Sequence, residues 1–149
     1  MKRLMTAALA VLLLTVCISL SACTRFDESR ADGAFEAFVK AVLDKNEATL
    51  ISLTHPSYRQ DIEYGDAFYA DLERYGILPG EPVDGIEAKE KKAAKDGELG
   101  GNLIVCSYVV MIDQLPYDAV VYILDNDSGY GIIGAEFSYC TDPDYYTIS

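Results

Sequence analysis

NLIVCSYVVMI (Asn102–Ile112), AVVYIL (Ala119–Leu124) and YGIIGAEFSY (Tyr130–Tyr139) are three short runs rich in β-branched and aromatic residues. They are joined by Asp113-Gln114-Leu115-Pro116 and by Asp125-Asn126-Asp127-Ser128-Gly129, which carry turn residues. That composition and spacing predict a three-strand antiparallel meander. The first two runs are apolar at nearly every position, so both faces of the sheet centre should be covered. The third alternates Ile133, Ala135, Phe137 and Tyr139 against Gly134, Glu136 and Ser138.

Upstream of Gly97-Glu98-Leu99-Gly100-Gly101, a turn, Pro82 to Asp96 has helix-forming composition but few residues to bury. It is assigned as a charged edge strand, its Lys and Glu side chains discouraging pairing with other chains. Further upstream the period changes from two to about 3.6. Ser29 with Asp32 fits a capping box, and Ala31, Phe35, Phe38, Val39 and Val42 follow at helical spacing. Asp44-Lys45-Asn46 breaks that helix. A short second one, Glu47 to Leu53, is capped by Asn46, buries Leu50, Ile51 and Leu53, and ends at Thr54-His55-Pro56. A third runs from Asp66, its cap, to about Tyr75. Gly76, Ile77 and Pro79-Gly80 then supply a Schellman ending in which Ile77 folds back on Leu72.

The fold class is therefore α+β, with N-terminal helices packed on a curved antiparallel sheet. The order of Phe35-x-x-Phe38-Val39-Lys40-Ala41, the break Asp44-Lys45-Asn46-Glu47-Ala48-x-Leu50-x-x-Leu53, and the closing strands from Val105 to Tyr139 resembles the nuclear transport factor 2-like superfamily. The likeness is to its small bacterial lipoproteins of unassigned function. Cystatin-like α+β folds share much of the pattern. The resemblance implies a cone-like domain with an inner cavity that hosts enzymes in some members and docking surfaces in others, and fold alone does not choose between them.

The first 22 residues set the address. Lys2 and Arg3 precede an apolar run from Leu4 to Leu20, broken only by Thr6, Thr15 and Ser19 and ending in small residues. Leu20-Ser21-Ala22-Cys23 resembles a bacterial lipobox. That likeness implies cleavage before Cys23 and diacylation of its thiol, a two-chain anchor of the kind that holds stably to a membrane. The expected organisation is a signal peptide over 1–22, the lipidated Cys23 and a short tether over 23–28, one domain over 29–140 and an irregular tail over 141–149. The expected location is the extracytoplasmic face of the cell membrane, or the outer membrane where the source has one.

Cleavage leaves 10 Lys+Arg against 24 Asp+Glu, a net charge near −14 on 127 residues. So acidic a chain is repelled by phosphate backbones and anionic headgroups, which excludes nucleic acid as a partner. Between Leu99 and Ser149 there are seven acids and no Lys or Arg, so that half should present a field of one sign. Of four cysteines, Cys106 and Cys140 remain available for a bridge. The meander sets Cys106 level with about residue 132, leaving Cys140 about eight residues or 26 Å further on, whereas a disulfide spans 4.4 to 6.8 Å. Two free thiols are expected.

Chemistry-bearing motifs are few. His55 is the single histidine and, beside Pro56, marks a turn. Asp125 to Tyr130 has the look of a calcium loop, but Tyr130 stands where an EF-hand needs Gly. Neither a nucleophile elbow nor Cys-x-x-Cys nor His-Glu-x-x-His occurs. No metal, cofactor or catalytic residue is assigned. Eleven tyrosines without tryptophan suit places with one dry and one wet side. Tyr108, Tyr122, Tyr130, Asp118 and Glu136 are the candidate members of an acidic, Tyr-rich binding surface on the sheet. The function expected is a non-catalytic interaction module meeting an envelope protein. The alternatives are a small-ligand pocket drawing on Tyr69 or Tyr122, and a cavity enzyme using a buried Asp or His55. No oligomeric state follows from these residues.

Overall fold

The computed structural model describes residues 26–60 and 62–146. The expected leader and lipidation site at Cys23 lie outside them. Three helices pack against one four-stranded antiparallel sheet: α1 (Glu28–Leu43), α2 (Glu47–Leu53), α3 (Glu63–Arg74), then β1 (Val83–Asp96), β2 (Gly101–Ile112), β3 (Leu115–Asn126) and β4 (Gly129–Tyr139), in the order β1-β2-β3-β4. The chain is α+β. No helix among the described residues is long and apolar enough to cross a membrane.

Local signals account for most boundaries. Asn46 caps α2 through Thr49 N–H at 3.1 Å. At the end of α3, Gly76 takes φ +80°, its N–H reaches Glu73 O, and Ile77 N–H reaches Leu72 O at 3.0 Å, the paired bonds of a Schellman motif. Leu72 and Ile77 are both buried. The edge strand holds as β1.

Elsewhere the expectations need correction. Asp27, not Ser29, caps α1, accepting from Arg30 N–H, and Phe26 already packs on the core, so the domain starts inside the expected tether. Helix α3 begins one turn early, after Ile62, with no side-chain cap. Asp66 merely lies in its first turn. Ile51 is exposed and only Leu50 of α2 is fully buried. The strands are longer and their turns shorter than expected. Ile112 pairs with Leu115 around Asp113-Gln114, both at positive φ as the twist of a two-residue hairpin demands. A register shift beside Ile123 sends Ile132, rather than Ile133, into the core. Cys106 is therefore level with Val121 and Ala135, which leaves Cys140 five residues or about 16 Å further along. Both thiols are free and buried. The tail is not irregular throughout: Pro143–Tyr146 forms a 3-10 turn whose Tyr146 hydroxyl donates to Cys140 O at 2.6 Å.

The core lies between the helices and one face of the sheet. Phe35, Phe38, Val39, Phe68 and Leu72 come from the helices, and Ile104, Cys106, Tyr108, Val110, Val121, Ile123 and Ile132 from the strands, each at most 1% exposed. Edge-on ring contacts join α1 to α3, Phe38 to Phe68 at 5.2 Å, and α3 to the sheet, Phe68 to Phe137 at 5.0 Å. These side chains fill the centre of the space where a cone would hold its cavity, and an open groove of about 500 Å³ remains between α1 and the start of β1, lined by Lys40, Leu43, Val83 and Asp84.

Candidate functional site

Side chains directly opposite one another in an antiparallel pair share a face. The ladders Ile104–Ile123, Cys106–Val121 and Tyr108–Ala119 thus define the inner, helix-covered face, while Val105–Tyr122, Ser107–Val120 and Val109–Asp118 define the outer one. The five candidate residues divide between them. Tyr122, Glu136 and Asp118 are outer. Tyr108 and Tyr130 are inner, so no single surface holds all five.

Tyr108 is the clearest correction. It is 1% exposed, its ring stacked on Phe35 at 4.0 Å and 5° and its hydroxyl donating to Asp32 Oδ1 at 3.0 Å. Lys91 Nζ, from β1, meets the other Asp32 oxygen at 2.7 Å and lies 3.6 Å from Glu28. Burial, then Cys106 and Asp32, push the Tyr108 hydroxyl far above its ordinary range, and burial raises the Cys106 thiol. Burial opposes the charge on Lys91, yet the Asp32 carboxylate holds its pKa above the ordinary value. This cluster pins α1 to β1 and β2. A thiol kept protonated and out of reach is not a nucleophile.

Tyr130 is half-buried, with the Arg30 guanidinium 3.6 Å above its ring. Its hydroxyl is buried without a hydrogen-bond partner, and burial carries its pKa up to about 12. Neither tyrosine presents a free polar tip to a ligand.

On the outer face Tyr122 donates to Glu136 Oε1 at 2.9 Å, and that bond, with partial burial, raises the phenol's pKa. Asp118 is not free: Lys89 of β1 lies 3.4 Å from it and 3.7 Å from Asp142, with Tyr145 of the tail 5.3 Å from the same ammonium. Pairing of the lysine-bearing β1 beside the acid-rich strands cancels part of the one-signed field expected there. The tail thus secures one end of the outer face, where Val109 and Pro116 are buried. Between that end and buried Leu124, the residues Leu103, Val105, Ser107, Val120 and Tyr122 remain partly open, with Glu136 exposed beside them. Lys89 and Tyr145 escape sequence reasoning as partners of this face, because nothing in the sequence says that residues 29 positions before and 27 positions after Asp118 meet over it.

No family model matches the chain, and neither does any curated protein or solved structure.

Geometry is thus the guide to the remaining candidates. His55 is fully buried. Its Nδ1 accepts from Ser57 N–H at 3.2 Å and its Nε2 faces Asn126 Oδ1 at 3.0 Å, an arrangement satisfied by the Nε2–H tautomer donating to the amide oxygen. It clasps two loops and faces no cavity described here. Tyr69 and Tyr122 do not converge. Tyr69 lines an open groove of about 400 Å³ among α1, α2 and α3, floored by Val42, Leu50 and Gly65, with Lys45 Nζ 4.1 Å from its ring. Among the described residues no three metal-ligating side chains come together.

Proposed function

We propose that this chain is a membrane-anchored, extracytoplasmic lipoprotein. Its domain is a non-catalytic interaction module that uses the outer face of the sheet to meet a protein of the cell envelope. The anchor rests on the lipobox at Leu20 to Cys23. One observation carries the choice of a binding surface over a reaction chamber: Phe35, Phe38, Phe68, Leu72 and Tyr108 fill the interval between helices and sheet. The concave spaces of several hundred Å³ that a substrate would need are open grooves, among them one beside Tyr69 and one between α1 and the start of β1, rather than a chamber inside the core. The outer face instead offers partly open apolar side chains beside Tyr122 and Glu136, a mixed surface of the kind protein partners cover. The order of helices followed by a closing meander supports placing the domain beside the nuclear transport factor 2-like proteins.

Small-ligand binding has the groove beside Tyr69 in its favour, with its apolar floor and the cation of Lys45 at its rim. Labelling with a lipid precursor tests the anchor: wild type takes up label, and Cys23→Ala does not. A photo-crosslinking amino acid in place of Val120 should trap a defined protein in intact cells, whereas the same group at exposed Ala70 of α3 should not. Loss of label dependence on Cys23 ends the anchor reading, and absence of a specific Val120 adduct under several growth conditions ends the docking reading.

A further inference from the structure

We propose that β1 pairs antiparallel with β1 of a second copy of this chain, joining two sheets edge to edge. The strand has 14 residues, about 46 Å of extended backbone, and forms one edge of the sheet. Among the described residues no backbone hydrogen bond reaches β1 apart from its ladder with β2. An edge of that length presents a row of unpaired donors and acceptors, a template for another strand.

Charges on such an edge discourage chains in general, as expected from the sequence, but their order along this strand fits one occupant, a second copy. Asp84 and Glu87 come early, Lys92 and Lys95 late, and Lys89 and Glu90 stand together in the middle. About a twofold axis between Lys89 and Glu90, Glu87 falls opposite Lys92 of the second copy, and Asp84 opposite its Lys95. A parallel copy would instead align lysine with lysine. Lys95 has no partner in its own chain among the described residues. Lys92 meets only Glu90, at 2.8 Å, with both side chains well exposed, a pairing of little strength. Glu87 is in reach of the Tyr145 hydroxyl, and Asp84 accepts from Gln114 N–H at 2.7 Å.

The faces agree as well, and for a reason visible in the ladder. Residues seven apart, such as Ile86 and Ala93, lie on opposite faces of an unbroken strand. Here a register shift between Ala88 and Glu90 breaks the alternation, so Ile86 lies opposite Val110 and Ala93 opposite Ile104, both inner residues. By the same shift Glu87 and Lys92 share the outer face, opposite Val109 and Val105. The irregularity sits at the centre of the proposed pairing. From Gly85 to Ala94 it lets the strand match itself, inner side chains to inner and Glu87 to Lys92, and a second register shift between Val83 and Gly85 ends the match there.

Sedimentation of the full chain in mild detergent, over a range of concentrations, tests this. A species of twice the protomer mass is expected for wild type. Because the axis doubles each contact, Lys92→Glu or Glu87→Lys alone should weaken it about tenfold. An equimolar mixture of the two variants should regain dimer, since Glu at position 92 then meets Lys at position 87 in one contact while the native Glu87–Lys92 pair stands in the other. That mixture also separates lost pairing from lost folding. A monomer at every concentration, single variants that dimerise as wild type does, or a mixture that fails to recover would each overturn the proposal.

Discussion

His55 Nε2 lies 3.0 Å from Asn126 Oδ1, across 71 positions of sequence. The same amide oxygen accepts from Ser128 N–H at 2.9 Å, and its nitrogen donates to Leu99 O at 3.1 Å. One side chain thus ties the β3–β4 turn, the β1–β2 turn and the loop after α2. Asn126→Ala should cost about 2 to 3 kcal/mol, because the buried imidazole loses its acceptor. His55→Ala should cost a similar amount, and the double variant less than the sum, by about 1 kcal/mol. Urea denaturation of the four proteins measures this, and strict additivity would show that the contact carries no energy.

Glycine content makes an opposing pair of tests. A Cβ on Gly131 would stand 2.3 Å from His55 N and 2.5 Å from His55 Cα, backbone atoms that cannot swing aside. Gly131→Ala should lose roughly 3 kcal/mol or fail to fold. Gly33 is exposed within α1 and a Cβ there meets nothing within 4 Å. Gly33→Ala should gain about 0.5 to 1 kcal/mol. Thermal melts of both variants decide whether the loop after α2 lies as close to β4 as the bridge between Thr54 and Ile132 indicates.

The buried, unpartnered hydroxyl of Tyr130 is a small liability. Tyr130→Phe should raise stability by about 1 kcal/mol at neutral pH. The alkaline behaviour follows with its sign. Folding raises this pKa from 10.0 to about 12, so the folded state holds the proton more tightly than the unfolded chain does. The associated stability is whole below pH 10 and is lost as pH climbs toward 12. Tyr108 and Lys91, both also raised, push in the same direction. Denaturation followed from pH 9 to 12 should show the decline, and Tyr130→Phe should flatten it.

Cys106 and Cys140 should resist thiol reagents in the native protein and react fully, without prior reduction, once it is unfolded. Peptide mapping after labelling distinguishes them from the other two cysteines. A Cys106–Cys140 peptide would contradict the register that sets Cys106 level with Ala135.

What the sequence disclosed was local. Gly76 and Ile77 mark the end of α3 through atoms a few residues apart, and Asn46 announces α2 in the same way. The start of α3 was hidden because Ile62 has no capping group, while Asp66 offered a plausible cap one turn too late. The candidate surface was harder still. β2 is apolar on both faces, so alternation cannot tell inner from outer, and nothing local shows that the Tyr108 hydroxyl belongs to Asp32, 76 positions upstream. Tyr122, Glu136 and Asp118 do share one face. Their neutralising lysine comes from β1, whose place beside β2 only the ladder reveals.

Phe68 of α3 rests edge-on against Phe137 of β4, the last strand to be made. A chain emerging N-terminus first from a ribosome or a translocation channel therefore presents α1 and α3 long before their cover exists. Until β2 arrives, Phe35, Phe38, Phe68 and Leu72 have little but one another for shelter, and Phe68 waits for Phe137 to the end. The interval is a window of vulnerability, in which holding factors and quality-control proteases compete for the nascent chain.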